Sequence, residues 1–206
     1  MLALLLAYHF SPETRDALDR LAALKAEWGY AFSVGVAIMA GSVAPEILRV
    51  IVFQGGRPRR QNGANLAFSF IFWGTMGAVV DFFYRCQAAW FGDELTPAVV
   101  VPKVLVDQFL YNPFFAAPVT VWCYTWKSRG YRLGRMGDLF TFRFYRDAVM
   151  PTLFAAWGVW IPLVTIIYCL PPLLQIPMFG LALTLWVVLL TFLSEQREQR
   201  GESGAH

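Results

Sequence analysis

The stretch GAVVDFFYRCQAAWFG, Gly77–Gly92, carries Asp81 and Arg85 four residues apart inside one of the most apolar regions of the chain. Upstream, Leu66–Val80 is apolar for only fifteen residues. That is about 22 Å of helix, short of a hydrocarbon core about 30 Å thick. A helix here crosses a membrane only if it runs on through both charges to about Phe91. At i, i+4 spacing Asp81 and Arg85 then share a face and neutralise one another. Bringing each into hydrocarbon costs roughly 2.5–3.5 kcal/mol, so both should face a protein interior or a wet cavity rather than lipid.

Composition points the same way. Of 206 residues, 57% are hydrophobic, 17% aromatic and only 15% charged, against roughly 25% charged in an average soluble domain. No Ser/Gly linker, internal repeat or low-complexity tract divides the chain, which reads as one domain. The start, MLALLLAYHF, is too short an apolar run and lacks a basic flank, so it fits neither a secretory signal nor a transit peptide. Cys86, Cys123 and Cys169 sit in separate apolar segments without metal-like spacing and read as free thiols used for packing. A net charge of +3 bears on membrane topology rather than on nucleic acid.

Residues 1–29 read as an N-terminal amphipathic helix. Ser11 is the N-cap, Pro12 takes the first helical position and Glu13 the first turn, and Ala17, Leu18, Leu21, Leu24 and Trp28 follow at helical spacing. Its polar face, Arg15, Asp16, Asp19 and Arg20, suits a helix lying on the membrane surface or packed on the protein.

Residues 30–194 read as an all-α, polytopic transmembrane helix bundle, and 195–206 as a polar tail. Span one is Tyr30–Phe53, where Gly35 and Gly41 admit a close neighbour and Pro45 is expected to kink the helix beside Glu46. Span two follows the basic loop QGGRPRRQNGAN and ends near Phe91; span three runs from about Val101 to Trp126. The apolar region Ala148–Leu193 would make a single helix of about 69 Å, and PPLLQIP interrupts it, so it divides into spans four and five. The alternative is four spans plus a re-entrant or surface helix. In the five-span arrangement twelve of the seventeen basic residues share one face, which places the C-terminus inside. Trp28, Trp90 and Trp126 fall near span ends, as an interfacial aromatic belt requires.

Glu46, Asp81, Arg85, Lys103, Asp107 and Gln108 are the interior polar residues, lining a solute or ion path or else locking helices in register. Whichever role they play, the expected surroundings are the lipid bilayer, with a homo-oligomer compatible and nucleic acid excluded. An enzyme is disfavoured: the two histidines, His9 and His206, lie near the termini, there is no phosphate-cradling Gly-rich loop, and no catalytic, metal-binding or cofactor-binding set stands out.

KVLVDQFLYNP, with Lys103, Asp107, Gln108 and Pro113 as Lys-x-x-x-Asp-Gln-x-x-x-x-Pro, resembles the central signature of the Mpv/PMP family of small peroxisomal and inner-mitochondrial membrane proteins. Upstream, where that family shows Gly-Pro-x-x-His-x-Trp-Tyr, Gly77 and Tyr84 agree, while Ala78, Asp81 and Phe83 replace Pro, His and Trp. Downstream, WGVWIP (Trp157–Pro162) is similar to Trp-x-x-Trp-Pro with one residue added, and TFLS (Thr191–Ser194) to a closing Tyr-Leu-Ser. The resemblance covers about Tyr30–Ser194, as a divergent member. It implies a compact bundle, conventionally of four spans, with pore-like conduction of small solutes or ions. Lys103, Asp107 and Gln108 are the positions that carry over. The host membrane would be the plasma membrane in a bacterium, and the inner mitochondrial or peroxisomal membrane in a eukaryote.

Overall fold

The computed structural model describes residues 10–203 apart from 133, 135 and 136, with side chains up to Leu190. His9, His206 and the side chains of TFLS and of the tail 195–206 lie outside the described residues. Among the described residues the chain is helical with no strand, an all-α helical bundle. They form two compact units, one of residues 10–92 with 170–203 and one of residues 93–169.

The first unit opens with α1, Pro12–Trp28. It starts as its sequence predicts: the Ser11 hydroxyl accepts from the Thr14 backbone N–H at 3.3 Å, and Pro12 costs nothing where no intrahelical N–H partner exists. Gly29, at φ 54°, ends it in a left-handed conformation that a side chain would strain. The helix packs against α2, Tyr30–Phe53, and α6, Pro172–Ser203. Its polar face, including Arg15, Asp16, Asp19 and Arg20, is exposed, while Leu18 and Lys25 are buried.

Helix α2 absorbs Pro45 without breaking. The turn before it, Met39–Val43, widens to π-type pairing, with the Ala44 N–H reaching the Met39 carbonyl. Helix α3, Arg60–Phe91, is continuous through Asp81 and Arg85, as membrane thickness demanded, and begins six residues ahead of the expected Leu66. Small residues set how closely these helices approach. A Cβ on Gly77 would lie 2.6 Å from the Ala37 Cβ and 2.7 Å from the Ser33 carbonyl oxygen; one on Gly41 would overlap the Trp73 ring, and one on Gly180 the Val36 side chain. Gly35 departs from expectation. It has open space where a side chain would go, because it borders an apolar groove of about 400 Å³ with Leu21, Trp28, Phe32 and Leu181.

The second unit contains α4, residues 97–128, and α5, Phe142–Tyr168. Thr141 caps α5 by accepting from the Phe144 N–H at 3.2 Å. Helix α4 carries Pro102, Pro113 and Pro118 yet stays helical, with its middle, Asp107–Ala116, wound in π-type turns.

Among the described residues four helices, α2, α3, α5 and α6 (over Pro172–Leu190), are long and apolar enough to cross a membrane. This is the equipment of an integral membrane protein. The region Ala148–Leu193 does divide, at Cys169–Pro171, between α5 and α6. The expected third span forms as helix α4, residues 97–128, as long as the others but less apolar because of Lys103, Asp107, Gln108 and Asn112. Cys86, Cys123 and Cys169 are free thiols, each half-buried.

Candidate functional site

In the first unit, Asp81 projects from α3 and is 2% exposed. One carboxylate oxygen accepts from the Lys25 ammonium and from the Ser33 hydroxyl at 2.8 Å; the other accepts from Arg85 Nε at 3.0 Å. Lys25 also donates to the Ser33 hydroxyl at 2.7 Å and to the Gly29 carbonyl at 2.9 Å. An ammonium has three protons, and here each has an acceptor. Burial pulls the Lys25 ammonium below the usual lysine range, opposed by the hydrogen bond to Asp81. Arg85 lies with its guanidinium 4.7 Å from the Tyr30 ring centroid and its side chain 52% exposed, a cation that reaches outward while its Nε stays on Asp81.

The expected Asp81–Arg85 pair therefore forms, but Arg85 is the outer partner. The inner one is Lys25, which is not among the interior polar residues expected from the sequence. A signal was present: Lys25 falls on the stripe of Leu18 and Leu21, at i+7 and i+4, where a charge has no solvent to face.

Glu46 belongs to a different network, thirteen residues along α2 from Ser33, or roughly 20 Å at 1.5 Å per residue. It accepts from Arg49 at 2.6 Å and from the Asn62 amide of α3. The buried Asn62 side chain also accepts from the Arg59 backbone N–H, closing the start of α3.

In the second unit, Asp107 is 6% exposed. Its Oδ1 accepts from the Gln108 amide at 2.9 Å and its Oδ2 from the Tyr168 hydroxyl at 2.8 Å. Both donors are neutral, and among the described residues no cation pairs with it. Lys103, one turn earlier and also buried, points elsewhere: its Nζ is 3.8 Å from the exposed Asp93 carboxylate and 6.0 Å from the Tyr168 ring centroid. Tyr168 thus meets the acid with its hydroxyl and the lysine with its ring face. No local pattern marks it, since it is one tyrosine in the apolar α5.

The wide turns of α4 follow from its prolines. In π-type pairing the carbonyl of residue i takes the N–H of residue i+5. Pro113 and Pro118 have none to give to Gln108 and Pro113. Side chains from α5 supply the missing donors: Trp157 Nε1 reaches the Gln108 carbonyl at 2.9 Å, and the Tyr145 hydroxyl reaches the Pro113 carbonyl at 2.9 Å. Buried carbonyls are expensive to leave unpaired, so this exchange ties α4 to α5 beside Asp107.

Of the six residues singled out, the structure joins Asp81 with Arg85 and Asp107 with Gln108, sets Lys103 against Tyr168, and gives Glu46 its own partners. No family model, curated protein or solved structure matches the chain.

Proposed function

We propose that this membrane protein is a channel or facilitator for small solutes or ions, a divergent relative of the Mpv/PMP type, and not an enzyme. The observation that carries this reading is Asp107: a carboxylate buried on a helix and held only by neutral donors. An ionisable group in such surroundings is costly, and a functional role is the default explanation for keeping it. A carboxylate without a fixed cation attracts a passing one, or a solute presenting donors, whereas a salt-bridged carboxylate has its charge already spent. Gln108 and Tyr168 orient the two oxygens, and the Pro113 and Pro118 turns supply the irregular backbone that membrane segments tolerate only where protein or a cavity meets it. Lys103, Asp107 and Gln108 are also the positions that the family resemblance carries over.

The test is flux. Liposomes containing the purified protein should leak small ions and solutes above protein-free controls, and Asp107→Asn should change that leak at equal incorporation. A wild-type protein that leaves liposomes tight, or an Asp107→Asn variant with unaltered flux, removes this reading.

A second reading has its own support. Asp81, Lys25, Ser33 and Arg85 close on one another, as do Glu46, Arg49 and Asn62, which is how polar residues behave when they fix helix register. Here the protein is a non-conducting structural or assembly component, and the same liposome assay separates the two.

A further inference from the structure

In the second basic stretch three arginines have acid partners, while Arg132, also exposed, has none among the described residues. In the second unit, Arg129 forms a two-pronged contact with Asp138 at 2.5 and 2.8 Å, and Arg143 and Arg146 both reach Asp147, at 3.7 and 2.7 Å. The loop joining α2 to α3 has no such partners. From residue 47 to residue 80 the charged residues are Arg49, Arg57, Arg59 and Arg60, with no acid among them. Glu46, just before, is taken by Arg49 and Asn62. Arg57, Arg59 and Arg60 are exposed, and among the described residues none has an ion-pair partner.

This loop is also built rather than slack. The Gly56 N–H donates to the Val50 carbonyl at 2.9 Å and the Arg57 N–H to the Gln54 carbonyl at 3.2 Å; Gly55 and Gly56 take the positive φ values, 60° and 77°, that the turn needs. Pro58 restricts the backbone between Arg57 and Arg59, and Asn62 ties the Arg59 N–H to Glu46 on α2. The backbone carrying these three arginines, the last of them the first residue of α3, is thereby fixed between two helices that each have membrane-spanning length. The ends of such helices lie at headgroup level, where the available anions are lipid phosphates.

We propose that Arg57, Arg59 and Arg60 form a binding surface for the phosphate headgroups of anionic phospholipids. Guanidinium matches phosphate oxygens with paired hydrogen bonds, and clustered arginines beside a membrane helix favour anionic over zwitterionic lipid. The loop's attachment at both ends to membrane helices selects lipid over nucleic acid, which would have to reach into the headgroup layer.

Thermal unfolding of the full chain in a neutral detergent tests this, with phosphatidylglycerol, phosphatidylcholine, inorganic phosphate or a short DNA duplex added. Phosphatidylglycerol should raise the melting temperature of the wild type and phosphatidylcholine should not. Arg57→Gln with Arg59→Gln and Arg60→Gln should weaken that response on the order of 100-fold in lipid concentration, about five-fold per arginine. Arg143→Gln with Arg146→Gln should leave it unchanged. If the triple variant does not fold, Arg57→Gln and Arg59→Gln singly should each shift the lipid titration about five-fold. Arginine variants that respond to phosphatidylglycerol like the wild type overturn the proposal, as does equal stabilisation by phosphatidylcholine, inorganic phosphate or DNA.

Discussion

Asp81 and Asp107 are both carboxylates buried on helices, at 2% and 6% exposure, and they are compensated in opposite ways. Asp81 has two cations and a hydroxyl. Asp107 has an amide and a phenol. The first arrangement spends the charge on holding α1 and α2 against α3; the second leaves an ionisable group with no fixed counter-ion among the described residues. Burial alone therefore does not say what an acid in an apolar helix is for. The sign and number of its partners do.

The largest effect that can break this contrast is at Asp81. Removing one partner of a buried ion pair leaves an uncompensated charge, so Asp81→Ala should destabilise the protein by roughly 3–5 kcal/mol, read as a fall in melting temperature in detergent. Lys25→Met combined with Asp81→Leu should recover most of that loss, because well-packed apolar groups replace such pairs with little penalty. If Asp81→Ala melts with the wild type, the locking role is gone.

Next comes the packing that brings Lys25 and Ser33 to Asp81. Gly77→Val puts a Cβ 2.6 Å from the Ala37 Cβ and 2.7 Å from the Ser33 carbonyl oxygen, and overpacking of this kind costs typically about 1–3 kcal/mol. The loss should appear in thermal unfolding, and unaltered melting would mean that α2 and α3 are not held in close register by Gly77.

Comparable in size is Tyr168→Phe, which deletes one neutral donor to Asp107, leaving a buried acceptor unpaired, and keeps the ring beside Lys103. A stability loss of about 1–3 kcal/mol is expected, together with a change in liposome flux under the conducting reading. A loss as large as that of Asp81→Ala would erase the distinction between the two carboxylates.

The smallest effect lies on the exposed loop. The hydrogen bond from Arg129 holds the Asp138 carboxyl below its ordinary value of 3.8. A lowered value in the folded state means stability that is fully present above pH 3.8 and lost as pH falls through the lowered value. Asp138→Asn should therefore flatten the acid limb of the melting-temperature profile slightly and leave neutral-pH melting nearly unchanged, as expected of a surface pair.

Much of the fold is legible in the residues. Ser11, Pro12 and Gly29 bound α1, the Pro171–Pro172 pair parts α5 from α6, and the length needed to cross a bilayer carries α3 through Asp81 and Arg85. The number of spans is harder to read, because α4 has the length but its charges and amides sit in its middle. The site is legible only in halves. Asp81, Arg85, Asp107 and Gln108 stand out as polar residues in apolar helices, and Lys25 was findable by its place on the Leu18–Leu21 stripe. Tyr168 and Ser33 carry no such mark, since a hydroxyl in an apolar helix is ordinary until a partner is known, and Trp157 stands out only through the WGVWIP resemblance.

What the amino-acid sequence determined by itself is whatever depends on near neighbours: helix limits, membrane-scale length, and the i, i+4 pairing of Asp81 with Arg85. Those follow from backbone geometry, which repeats every few residues. Tertiary structure alone decided that Lys25 would reach Asp81 across 56 residues and Tyr168 would reach Asp107 across 61, while Lys103 would turn to Asp93. Such contacts depend on how closely helix surfaces approach, as Gly77 and Gly41 permit, and chain spacing holds no record of that distance.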